Sequence, residues 1–269
     1  MKVHVTVVLC SLLAVVEPAL AQDSTASKTF LTKKDLAYAG LALGGTLALS
    51  YFDDDIARAS QKPRFQDSSL HRLALNISHV NETTLTLAGI ASYGVARLFH
   101  SATATDITLH ATEAVVLASV ASQLIRGPLG RTRPYVTHDS DQYRFKAFAG
   151  FVNDTSFNYR AFPSIHTSSS IAVATVLSME LHRRKPGAAK FVAPVLFAAA
   201  LLPGLARIQL DQHWASDVAA GAFMGVFSGY KVVSYSHAHP DNWFDRTLLS
   251  ASLLPDEHGR MKLEYNHAF

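Results

Sequence analysis

An all-α fold, six helices packed as one bundle, is predicted by three features of the sequence. The chain has 269 residues, 49% of them hydrophobic and only 17% charged, which excludes a disordered polar chain. Its 14 Gly and 10 Pro are ordinary counts and exclude a collagen-like or low-complexity chain. The apolar residues gather in six segments rich in Ala, Leu and Gly, with little β-branched alternation, so they read as helices.

The chain opens on a segment that reads as a secretory signal peptide, residues 1–21. Lys2 supplies the positive start, residues 5–16 form an apolar run too short to span a bilayer comfortably, and Glu17-Pro18 precedes a small-x-small Ala19-Leu20-Ala21 site. The one cysteine, Cys10, lies in that run, so cleavage leaves a mature chain with no disulfide and no thiolate metal site. The expected helical domain is 22–239. Its apolar segments run over 36–52, 83–99, 107–125, 167–181, 191–206 and 214–233. Asp106, His110 and Glu113 fall at helical spacing on one face of the third, and Ser168 to Ser170 open the fourth.

Residues 126–165 form a long connection between the third and fourth segments, a length that marks functional loops. It carries Tyr135, Tyr143, Phe145, Phe148, Phe151, Phe157, Tyr159 and Phe162. These either pack the loop onto the bundle or form an apolar mouth. In the tail, 240–269, Leu249, Ala251 and Leu253 alternate, a turn follows at 255–259, and Met261, Leu263 and Tyr265 alternate again; this predicts a small β-hairpin.

Three clusters at predicted helix ends carry chemistry. Arg126 and Arg133-Pro134 bracket the start of the loop; Pro163-Ser164-Ile165-His166 closes it; Arg207, His213 and Asp217 follow the fifth segment. Arginine forks suit phosphate oxygens, each charge-assisted bond contributing about 1.5–3 kcal/mol when shielded. Ser164 stands where a helix begins, so its hydroxyl and the free N–H groups behind it can face an anion. His213 and Asp217 are four apart and share a helix face, so the carboxylate can hold one imidazole nitrogen protonated and leave the other free. Each item alone is a common surface feature; the three in order are a phosphate site with proton-transfer groups. Net charge is only +3 and no basic stripe occurs, so nucleic acid is not an expected partner.

These residues resemble the type 2 phosphatidic acid phosphatase (PAP2) / vanadium haloperoxidase superfamily, whose signature is Lys-x6-Arg-Pro, Pro-Ser-Gly-His and Ser-Arg-x5-His-x3-Asp. Arg126 stands in the Lys place, Arg133-Pro134 follow, Pro163, Ser164 and His166 match the second motif, and Arg207, His213 and Asp217 match the third with both spacings kept. The resemblance implies a six-helix PAP2-type domain and a phosphohydrolase that needs no metal or other cofactor. It implies that His213 attacks phosphorus to form a phosphohistidine, Asp217 orients it, His166 protonates the leaving oxygen, and Arg126, Arg133, Arg207, Ser164 and the N–H of Ile165 hold the phosphoryl oxygens. The implied substrate is a phosphate monoester or a lipid phosphate, the latter with membrane association.

Ile165 and Ala206 depart from the signature, standing where it has Gly and Ser. They motivate a non-catalytic reading, and the shared vanadate cradle motivates a haloperoxidase reading, against which the short chain argues. Localisation divides in two. A cleaved leader predicts an exported, periplasmic or secreted protein, the preferred reading; an inner-membrane multipass protein is the alternative, with the basic stretch 182–190 on the cytoplasmic side. His237-Ala-His239 has a spacing that suits a metal pair, but the sequence supplies no obvious carboxylate partner, so it reads as a solvated surface pair.

Overall fold

The computed structural model describes residues 30–151, 155–243, 245 and 247, and the strand backbones 251–255 and 261–265. The expected signal peptide, Cys10 and residues 256–259 of the expected turn lie outside the described residues.

All six expected segments are helices: α1 (Lys33–Ser50), α4 (Glu82–Leu98), α5 (Ala102–Leu129), α6 (Ile165–Arg184), α7 (Pro186–Gln209) and α8 (Ala215–Ala238). Two further helices, α2 (Asp53–Ser60) and α3 (Ser68–Ile77), fill the stretch between the first two segments. They escape a search for apolar runs because they are short and polar on one face. Three aspartates in the first turn of α2 favour its start through the helix dipole, and the Asp67 carboxylate caps α3 by accepting from the Ser69 N–H at 2.8 Å. Asn81 and Ser101 cap α4 and α5 in the same way, at 3.0 and 3.3 Å. The helix α5 ends at Gly130, whose φ of +64° is the left-handed conformation that turns the chain into the long loop. A Cβ there would stand 1.8 Å from the Lys146 carbonyl oxygen, so both backbone angle and space require glycine.

Helix α6 is central, packed against α5, α7 and α8. Its contacts are small and partly polar. Ser168 Oγ lies 3.0 Å from Ser122 Oγ, Ser169 Oγ 3.1 Å from Ser119 Oγ, and Ser170 Oγ donates to the Ala200 carbonyl at 2.6 Å. The serines flagged in the sequence thus bind three helices together. A Cβ on Gly221 of α8 would sit 2.4 Å from the Ser164 carbonyl oxygen, so glycine permits the close approach that brings α8 against the start of α6. Ala114, Ala118, Ala172, Val176, Val232 and Val233 make one apolar core; Ile171, Ala174, Phe197, Leu201, Ala222 and Val226 make another.

The outer faces depart from the expectation of a bundle whose apolar segments bury one another. Leu36, Leu41, Leu43 and Leu47 on α1, Leu87, Ile90, Val95 and Leu98 on α4, Val120 and Leu124 on α5, and Phe191, Val195, Leu202 and Leu205 on α7 are all exposed, while arginines, carboxylates, histidines and hydroxyls are buried. The segments are apolar on more faces than their neighbours can cover. Helices α5 and α7 are long and apolar enough to cross a membrane. At the C-terminus the strands Ala251–Pro255 and Met261–Tyr265 pair antiparallel with Leu253 opposite Leu263, as the alternation predicts.

Candidate active site

The three motif clusters meet at one end of the bundle. Arg126 ends α5, Ser164 and Ile165 begin α6, Arg207 ends α7, and His213 and Asp217 lie before and within the first turn of α8. Ser164 is the N-cap of α6, and its N–H donates to the Asp217 carbonyl at 2.9 Å, tying the second motif to the third.

His213 is buried, with neither ring nitrogen in a hydrogen bond; its Nδ1 lies 3.5 Å from Asp217 Oδ2. That carboxylate oxygen is fixed by the Trp214 N–H at 2.8 Å. Burial, then Arg133, Arg207, Arg126 and His166 in turn, hold the His213 imidazole well below its usual range, so the ring is neutral at pH 7. A neutral imidazole beside a carboxylate is the form that can act as a nucleophile. His166 opens α6 and is partly buried with Nδ1 free of a hydrogen-bond partner.

The arginines are held by backbone. Arg126 donates through Nε and Nη2 to the Arg160 carbonyl at 3.0 and 2.6 Å. Arg133 donates to the carbonyls of Phe157 and Gln212 at 2.8 and 2.7 Å and lies 3.9 Å over the Phe157 ring. Burial and the neighbouring Arg126 and Arg207 push its guanidinium well below the arginine range, which an arriving anion reverses. Arg207 shares Gln212 Oε1 with Arg133, at 3.2 Å from each. All eight sequence-predicted residues therefore lie in this end of the molecule. Ile165 is buried within a regular helix, its φ outside the left-handed region, so a residue other than glycine is tolerated there.

Three residues escaped the sequence reading. Arg160 donates to Gln123 Oε1 at 2.6 Å and lies close enough to Arg126 to interact with its charge. Its position four residues before Ser164 was the available signal. Arg131 and Asp53 form a buried support under the third motif. Arg131 Nη1 donates to Asp217 Oδ1 at 2.6 Å and Ser216 Oγ at 2.7 Å, while Nη2 donates to Asp53 Oδ2 at 2.8 Å. Asp53 also accepts from the Ser216 N–H at 2.8 Å. Burial pushes the Asp53 carboxyl up, and Arg131 and Ser216 pull against that. Asp53 sits 164 positions from Asp217, so no spacing rule could pair them.

The long loop does not simply pack down. Tyr143, Phe145, Phe148, Phe151 and Phe157 are exposed at this end, whereas Tyr135, Tyr159 and Phe162 are half-buried.

Comparison with known proteins agrees with this arrangement. The PAP2 superfamily profile matches residues 107–241, half of the chain. The chain is 28% identical over 149 residues to the lipid A 1-phosphatase of Rhizobium etli, covering 53% of this chain and 57% of that protein. It is 29% identical over 100 residues to the lipid A 1-phosphatase of Porphyromonas gingivalis, covering 34% of this chain and 22% of that one. The chain thus spans little more than half the length of these curated relatives, or less. The crystal structure of a transmembrane PAP2-type phosphatidylglycerolphosphate phosphatase from Bacillus subtilis shares the fold, with a TM-score of 0.54, 19% identity, and coverage of 77% of this chain and 97% of that one.

Proposed function

The chain belongs to the PAP2 superfamily, and from that premise we propose that it is a membrane-embedded phosphatase that removes a phosphate group from a lipid. The observation that carries the reading is a neutral, buried His213 beside Asp217, faced by His166 and three arginines. His213 attacks phosphorus through the ring nitrogen not turned to Asp217. An N–P bond forms as the P–O bond to the lipid breaks, and His166 gives the leaving oxygen its proton. His166 then takes a proton from water, whose oxygen attacks phosphorus and releases inorganic phosphate and free His213. Arg126, Arg133 and Arg207, with Ser164 and the Ile165 N–H, neutralise the phosphoryl oxygens as charge builds. Every step is assigned to a side chain, so the proposed chemistry is metal-independent. Phosphate release from a lipid A 1-phosphate or phosphatidylglycerol phosphate in detergent, inhibited by orthovanadate and insensitive to EDTA, supports the reading. No release from either lipid or from p-nitrophenyl phosphate overturns it.

The lipid substrate is supported by the exposed aromatics of the loop and the apolar outer faces. Phe145→Ser with Phe148→Ser is expected to raise KM for the lipid several-fold and leave turnover of p-nitrophenyl phosphate unchanged. An equal change for both substrates would remove the mouth from the substrate path.

Membrane orientation follows from charge. The basic stretch 182–190, exposed except at Ala189, and the N-terminal end of α1, with Lys33 and Lys34, lie at the end opposite His213, since Asp35 of α1 pairs with Lys231 at 2.8 Å and Ser50 reaches Tyr143 at 3.3 Å. The positive-inside rule places that end in the cytoplasm and the phosphatase centre outside. This favours the multipass alternative over an exported soluble bundle. In a Cys10→Ser background, Gly187→Cys is expected to react with an impermeant maleimide only after permeabilisation, and Asp141→Cys in intact spheroplasts. The reverse pattern would invert the topology.

A further inference from the structure

Six titratable side chains converge at the end of the bundle away from His213, and nothing in the proposed reaction uses them. Asp106, His110 and Glu113 lie on successive turns of α5, Glu180 is near the end of α6, His237 is in the last turn of α8, and Asp245 follows it. One ligand atom from each of Asp106, His110, Glu180 and His237 lies within 4.8 Å of all the others. His110 is 1% exposed, and both its ring nitrogens lack a hydrogen-bond partner. They are aimed into the cluster: Nδ1 is 3.7 Å from Glu180 Oε1, and Nε2 is 3.6 Å from both Asp106 Oδ1 and Asp245 Oδ2. Those gaps exceed hydrogen-bond length, and the one from Nε2 to Asp106 is close to the roughly 3.3 Å between two ligands of a tetrahedral ion with bonds near 2.0–2.1 Å.

The remaining contacts orient this set. Arg184 pairs with the outer oxygens, Glu180 Oε2 and Asp106 Oδ2, which leaves the inner oxygens turned to His110. His237 Nε2 stands 2.6 Å from Glu180 Oε1. The histidine is therefore not half of a solvated pair: it turns into the cluster, while His239 stacks on the Tyr235 ring at 4.3 Å between centroids. Glu113 Oε1 is buried without a partner, and Asp245 accepts from Asn242 Nδ2 at 2.6 Å. Four carboxylates and two imidazoles grouped beside one guanidinium form a donor set that a divalent cation can draw on.

We propose that Asp106, His110, Glu180 and His237 bind one divalent transition-metal ion, of the zinc class, with Asp245 and Glu113 lining the same site. Two imidazoles with carboxylates suit Zn²⁺, Co²⁺ or Mn²⁺ and disfavour Mg²⁺ and Ca²⁺, which take oxygen ligands. The ion ties the ends of α5, α6 and α8. His110 and Arg126 are 16 residues apart on one helix, so it lies about 24 Å from the phosphate cradle and takes no part in the chemistry.

The test uses tag-free, full-length protein in detergent, stripped with EDTA and then titrated with Co²⁺. Visible ligand-field absorption saturating at one Co²⁺ per chain is expected, together with a rise in Tm on adding Zn²⁺. His110→Ala and Glu180→Gln are each expected to weaken Co²⁺ binding at least about 100-fold. Phosphate release by the stripped enzyme is expected to match that of the loaded enzyme, which separates failure of this site from failure of the phosphatase. Absence of a saturable Co²⁺ signal in the wild-type protein, or binding by His110→Ala as tight as wild type, overturns the proposal and leaves an ion-pair network. Should His110→Ala not fold, His237→Gln carries the same comparison.

Discussion

Replacing His213 by Ala is expected to lower turnover by on the order of 10⁴-fold or more, the scale seen when a covalent nucleophile is deleted. The variant should fold. The ring makes no hydrogen bond, and Asp217 keeps its bonds from Arg131 and the Trp214 N–H without it. Truncation leaves a small cavity and removes no partner from a buried polar group. His166→Ala is expected to cost less, about 10²–10⁴-fold, since it loses proton transfer but keeps the nucleophile. Its deficit should shrink for p-nitrophenyl phosphate, whose leaving group needs no proton. Trapping separates the two roles. Acid-labile, base-stable ³²P on the protein from a labelled lipid phosphate should appear in the wild type and vanish in His213→Ala. A labelled His213→Ala protein, or turnover within tenfold of wild type, rejects His213 as the nucleophile.

The sequence and the structure agree most where one element carries its own signal. The six apolar segments became six helices because hydrophobic length is a local property, and α5 overran its expected range by a few residues at each end. His213 and Asp217 were legible because four residues on a helix fix their relation in any fold. The second titratable cluster was half legible: Asp106, His110 and Glu113 mark one face of α5, but Glu180 and His237 come from two other helices, and no periodicity announces their meeting. The sign of the outer faces was illegible for a different reason. Apolar content says that a helix avoids water, and only packing says whether a neighbour or lipid takes the water's place. Buried serines between α5 and α6, with leucines outside, favour the lipid reading proposed above.

Arg131 carries the second large effect, and it is a positioning residue. Its fork reaches two buried carboxylates at once, Asp217 through Nη1 and Asp53 through Nη2, and its Nε donates to the Gln142 carbonyl at 3.0 Å. Arg131→Met leaves both carboxylates buried without their cation, a loss of about 3–5 kcal/mol in comparable buried pairs, read as a sharp fall in Tm. Arg131→Lys offers one ammonium, which cannot span both acids, so it is expected to recover part of the Tm and little of the turnover. Asp53→Asn in the Arg131→Met background removes one of the stranded charges. It should restore stability beyond the sum of the single effects, the signature of groups that act through one another. Turnover should stay low in that double variant, because Asp217 then keeps the Trp214 N–H but loses the Arg131 fork that sets the angle of its carboxylate toward His213 Nδ1. The loss should fall on kcat with KM for the lipid little changed, since the Arg131 fork is spent on Asp217, Asp53, Ser216 and the Gln142 carbonyl. Wild-type kcat in a folded Arg131→Met protein would show that Asp217 needs no such hold.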